Sequence, residues 1–164
     1  MAKSTDKDRK TILGVQSALK LARENWKKES AKPKGTKVPD DIVKTADELQ
    51  KKVDLIAVKY QREQQGLGNA GPPFEWKPDP LPSQVQDLME DLDAFAAAPG
   101  GQQKEKLAEL TPLVSAASAQ VKKIVDEDLA ALNKKMNDAG IPHIVPAPPA
   151  PRGAGGNDDD DDDR

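Results

Sequence analysis

From Leu107 to Met136 the apolar residues fall at Leu107, Leu110, Val114, Ala117, Val121, Ile124, Leu129, Leu132 and Met136. The steps are three and four throughout, apart from one slip near Asp128. Such a seam lies along one side of a helix, and a chain that carries it must supply other helices to cover it. Pro112 sits early in the stretch: either the helix kinks there, or a turn ends at Thr111 and a new helix opens with Pro112 at its first position. At the far end Gly140 suits a left-handed stop. Ile141 can then fold back on the last turn, and Pro142 forbids continuation.

The remaining stripes supply the cover. Ile12, Val15, Leu19, Ala22 and Trp26 share one face of a first helix, with Ser4 or Thr5 as its cap and Asp6 and Asp8 complementing the dipole of its first turn. After the breaker SAKPKGTK, a second stripe runs through Ile42, Ala46, Leu49, Val53, Ile56 and Tyr60 behind Pro39, Asp40 and Asp41. Pro82 opens a third helix with Val85, Leu88, Met89, Leu92 and Phe95 inward, stopped by Pro99, Gly100 and Gly101. The pattern predicts an all-α fold: an antiparallel four-helix bundle built from two helical hairpins. It spans 1–145, with a crossing loop at about 61–82 in which Phe74 and Trp76 cover one end of the bundle. Residues 146–164, rich in proline, glycine and aspartate, form a disordered tail.

Composition agrees with helix packing. Only 3% of residues are aromatic, so Leu, Val, Ile and Ala must fill the core. The absence of cysteine excludes disulfides, thiolate metal sites and thiol nucleophiles. The start MAKSTDKDRK is charged without an apolar run behind it, and no stretch is apolar enough for a membrane span. Taken as it stands the chain would stay in the cytoplasm; as a fragment of a larger secreted protein it would be exported. Residues 1–63 hold 16 Lys/Arg against 10 Asp/Glu, and the remainder 9 against 18. The basic half has no aromatic interleaving or Arg-rich stripe, so nucleic acid is not the expected partner.

No constellation for chemistry stands out. The run Asp158, Asp159, Asp160, Asp161, Asp162 and Asp163 lacks the alternating ligands and the turn glycine of a calcium loop, and offers only diffuse cation attraction. His143 is the single histidine and has no companion ligand at metal spacing. Asp126, Glu127 and Asp128, like Glu90, Asp91 and Asp93, could imitate an acid/base pair, but such clusters on amphipathic helices normally form the solvated face. GLGNAG follows no strand, and no nucleophile elbow or phosphate loop is present. No catalytic residue, cofactor site or specific metal site is therefore expected.

The succession DRKTILGVQSALKLAREN, LPSQVQDLMEDLDAFAAAPGGQQKEKLAEL and DLAALNKKMNDAGIPHI resembles the helical C-terminal region of bacterial sortilin-like, BNR-repeat glycosyl-hydrolase-type proteins. Leu132, Asn133, Gly140, Ile141 and Pro142 carry the most specific part of the likeness. In that family a β-propeller precedes the helices, and no propeller motif occurs here. The resemblance implies a non-catalytic accessory or interaction domain whose partner is a β-propeller or a partner helix, any hydrolase activity residing in the propeller. An independent helical adaptor or homo-oligomerisation protein, with an acidic tail for cations or basic partners, is the alternative. Either way Ile141, Ile144 and Val145 are expected to cover the hydrophobic end of the last hairpin.

Overall fold

A computed structural model describes residues 1–32, 37–61, 78–94 and 98–146. Every regular element among them is helical: α1 (Ala2–Ser30), α2 (Asp40–Ala57), α3 (Leu81–Asp93), α4 (Gly101–Lys123), a π-helical segment (Ile124–Leu129) and α5 (Ala130–Asp138). The last three follow one another without a break, since Lys123, Ile124 and Ala130 keep right-handed helical backbone angles at the junctions. Phe74, Trp76, Phe95 and the tail from 147 lie outside the described residues.

In α1 the stripe is buried at Ile12, Val15 and Leu19 and half-buried at Ala22 and Trp26. Its start differs from expectation. The helix begins at Ala2, and Met1 offers its carbonyl to the amides of Ser4 and Thr5. Thr5 is therefore inside the first turns, buried, with its hydroxyl donated back to the Ala2 carbonyl at 2.9 Å. Asp6 pairs with Lys10 at 2.7 Å rather than with the helix end. In α2 the residues Ile42, Ala46, Leu49 and Val53 are buried and Ile56 half-buried, behind the acidic first turn of Asp40 and Asp41; the helix ends at Ala57, and Tyr60, in the turn that follows, is buried as well.

Polar pairs fix the register between elements. Gln16 donates from Nε2 to Asp54 Oδ1 at 2.6 Å, and Arg23 pairs with Asp47. These contacts run in opposite order along α1 and α2. Between α2 and the last helical stretch, Lys59 meets Gln120 at 2.8 Å, Lys52 meets Asp128 at 2.7 Å and Lys135 meets Thr45 at 2.9 Å, again in opposite order. Exposed pairs of this kind add little stability and mark the alignment that burial imposes. The Lys52 ammonium is held above its usual pKa by its hydrogen bond and charge interaction with Asp128.

The α3 helix opens beside the end of α2, where the Leu81 amide donates to the Lys59 carbonyl at 2.8 Å. Leu81, Val85 and Leu88 are buried and Leu92 half-buried, at steps of four, three and four. Met89 falls one residue off that line and is 43% exposed, so it does not belong to the inner face. Gln103 then accepts from the Gly100 amide and donates to the Asp91 carbonyl, both at 2.9 Å, which starts α4 against the end of α3.

Along α4 the seam is buried from Leu110 onward, but Leu107, 44% exposed, lies one turn beyond the cover of the other helices. The helix does not restart at Pro112. That residue is exposed, so the Ala108 carbonyl it cannot serve faces solvent, while the Thr111 hydroxyl donates to the Leu107 carbonyl at 2.7 Å. Leu110, Val114, Ala117, Val121, Ile124, Leu129, Leu132 and Met136 are all buried. From Ile124 to Leu129 is a step of five. In a straight α-helix that step would rotate the seam by about 140° and turn its last three residues away from the core. The π-helical segment spans these six residues and absorbs the extra one.

Deleting the exposed Glu127 converts the step of five into four. The prediction is a retained fold with a melting temperature within about 5 °C of the parent, because the seam stays continuous. Inserting one alanine after Lys134, which turns the step of four into a five with no π-helical segment to absorb it, should swing Met136 off the seam and cost about 2–5 kcal/mol, read by thermal circular dichroism. The single tyrosine offers a second test. Tyr60 is 2% exposed, and neither its hydroxyl nor the buried Asp8 Oδ2 has a hydrogen-bond partner among the described residues. Burial, with the negative charge of Asp8 added, pushes the phenol up to about 12. A folded-state pKa above the unfolded value means that stability is full below about pH 10 and is lost as pH rises toward 12. Absorbance at 295 nm should show the late titration, and Tyr60→Phe should flatten the pH dependence of stability in that window.

Candidate interaction groove

The turn after α5 builds one wall of a groove. Gly140 takes a left-handed φ of 69°, the Gly140 amide donates to the Asn137 carbonyl at 3.0 Å, and the Ile141 amide donates to the Met136 carbonyl at 2.8 Å. This pair of bonds closes the helix end and reverses the chain. A side chain at 140 would meet no atom, so the glycine is required by backbone angle and not by space. Ile141, half-buried, packs against the core.

Three residues later the returning chain is clamped. Asn133 donates from Nδ2 to the Ile144 carbonyl at 3.0 Å and accepts from the Ile144 amide through Oδ1 at 2.8 Å. A side-chain amide presents a donor and an acceptor side by side, so it can pair with a backbone residue as a strand would. The Ile144 side chain is thereby driven into the core, at 5% exposure. Val145 is turned the other way and is 71% exposed, so it does not cover the bundle end as expected.

Between this segment and α1 lies an open groove of about 670 Å³. Ala18, Ala22 and Trp26 form its α1 wall, Met136, Ile141 and Ile144 its floor and opposite wall, and Val38 closes one end. Leu21, 60% exposed, and Val145 stand on its rims. His143 is exposed and lines the same groove, away from any carboxylate pair or second imidazole. A second depression, about 500 Å³ between α2 and α4, is lined by Lys52, Lys59, Gln120 and Asp128 beside Leu55. There Lys52 bonds Asp128 and Lys59 bonds Gln120, and Leu55 stays 74% exposed; the first groove is set apart by its larger apolar lining, which gathers residues of α1, of α5 and of the returning segment.

Asp128 is engaged by Lys52 and Glu90 accepts from Gln86 at 2.9 Å, while Asp126, Glu127, Asp91 and Asp93 are exposed on helix faces. Among the described residues no group of three or more His, Asp or Glu gathers at metal-binding distances, and no helix is long and apolar enough to cross a membrane. Asp158 to Asp163 lie outside the described residues. Leu21 and Val38, which border the groove, stand apart from the helix stripes. Only the isolation of Leu21 on a charged face of α1 signals a role.

The chain matches no family model, no curated protein and no solved structure.

Replacing Asn133 by Ala strands both backbone groups of Ile144, at a cost of about 1–3 kcal/mol. Replacing Ile141 and Ile144 together by Asp should lower the melting temperature by several degrees. If both variants melt with the parent in differential scanning calorimetry, the segment is not clamped.

Proposed function

We propose that this chain is a non-catalytic helical interaction domain, an antiparallel four-helix bundle of two hairpins, that receives an apolar segment of a partner protein in the groove between α1 and residues 140–145. The observation that carries the reading is the unpaired apolar lining: Leu21 and Val145 expose most of their surface on the two rims of a cleft floored by Met136 and Ile144. Apolar surface gathered in one cleft, rather than scattered singly, is the usual mark of a docking site. An amphipathic helix or an extended apolar segment seats in such a groove through a few anchoring side chains.

The likeness of Leu132, Asn133, Gly140, Ile141 and Pro142 to the closing helix of sortilin-like proteins suggests the partner, a β-propeller, linked or separate, that holds any hydrolytic chemistry. In this reading the carboxylates of α3 and of the π-helical segment serve solubility and register. The domain contributes binding alone.

A photoreactive phenylalanine analogue at position 21 of the full chain tests the site. Irradiation in the producing cell should give one discrete adduct, identified by mass spectrometry, and binding of that partner should fall on Leu21→Glu. The same analogue at position 113, where an exposed leucine stands away from the groove, should give none. Equal adducts from both positions would contradict the assignment.

A further inference from the structure

Charge is segregated along the chain, positive on balance over residues 1–63 and negative over the remainder. Between Lys20 and Lys32, α1 and the residues just after it carry five Lys/Arg against two Glu. Arg23 pairs with Asp47 and Lys32 with Glu29, whereas Lys20, Lys27 and Lys28 make no ion pair among the described residues. Lys28 stands seven residues, about two turns, from Leu21 and shares its face of the helix. Lys20 and Lys27 are related in the same way, one residue over. Lys28 thus borders the Leu21 rim of the groove, while Lys20 and Lys27 lie farther round the outer surface of α1, lining depressions on its α2 side, and Glu29 lines the groove itself.

The chain itself leaves the groove at Pro146, next to the exposed Val145, and eighteen residues follow, APPAPRGAGGNDDDDDDR. Their order matches the surface they leave from: first alanine and proline, then a short glycine-rich spacer, then six aspartates. We propose that this C-terminal stretch occupies the groove when no partner is present, with residues 147–151 along Leu21 and Asp158–Asp163 over Lys20, Lys27 and Lys28. The inference rests on reading the groove as a docking site, and it makes the tail a tethered competitor for that site.

The geometry permits it. Asp158 is twelve residues beyond Pro146, a reach of up to about 40 Å, whereas Lys20 to Lys28 covers about 12 Å of helix. Proline-rich segments lose little freedom on docking and seat well against aromatic-lined apolar surface, which Trp26 provides. Tethering raises the local concentration to the millimolar range, so a contact too weak to hold between molecules can hold within one. The charged part acts over about 10 Å at 0.1 M salt, so the tail should loosen as ionic strength rises. A partner segment with its own acidic flank would displace it best.

Because the chain has no cysteine, Asp160→Cys in the full chain carries a nitroxide at one known place. Amide signals of Ser17–Lys28 and the Trp26 indole should lose intensity at low salt, recover in about 0.5 M NaCl and recover when ascorbate reduces the label, while Gln102–Ala119 stays unchanged. Absence of selective loss at low salt would overturn the proposal, and if position 21 still captures a partner the docking reading survives on its own. In a mixture of isotope-labelled unmodified chain with unlabelled nitroxide chain, signal loss would assign the tail to a second copy and overturn the tethered arrangement. Intramolecular loss together with no partner adduct supports the tail as occupant and removes the external partner.

Discussion

The fold depends on keeping one apolar seam continuous through the long stretch from Gly101 to Asp138. Eight buried residues of that seam face the other helices, and three of them, Leu129, Leu132 and Met136, come after a step of five. The π-helical segment places those three on the core side. Without it the charged Glu127 or Asp128 would fall where the pattern calls for an apolar residue. With it Asp128 is displaced to the flank, where Lys52 of α2 meets it. One extra residue therefore decides which parts of the last helical stretch face α1 and α2.

That alignment also creates the groove. Asn133 follows Leu132 on the turn that the π-helical segment sets, and only from there can its amide pair with the backbone of Ile144. The left-handed Gly140 sends the chain back along α5, the clamp fixes how far it returns, and Ile144 enters the core. Val145 and Leu21 are then left facing water on opposite rims. The apolar lining is a consequence of ordering the C-terminal segment, and its capacity to bind follows from the surface that this order leaves unused.

Much of the architecture could be read from residue spacing. The helices, most of their inward stripes, the Gly140 stop and the slip near Asp128 follow from periodicity and backbone chemistry, which act locally. The misreadings share a cause. Met89, Leu107 and Val145 are apolar and near a correct stripe, but their burial depends on how far neighbouring helices extend, which spacing does not encode. Thr5 has the chemistry of a cap, yet its hydroxyl is used inside a helix that begins three residues earlier. The groove was less legible. Its clamp joins residues 133 and 144 through an amide whose partners are backbone atoms, a contact that leaves no trace in hydrophobic pattern.

The account stands on the claim that the segment after Gly140 is an ordered wall and not a loose end. Amide hydrogen exchange at Ile144 tests it most directly. Its amide is held by Asn133 in a partly buried setting, so protection should lie within about tenfold of the slowest amides of α1 and α2. Exchange of Ile144 near the rate of an unprotected peptide, with the helices still protected, would show that the segment is free and that the groove has only one wall.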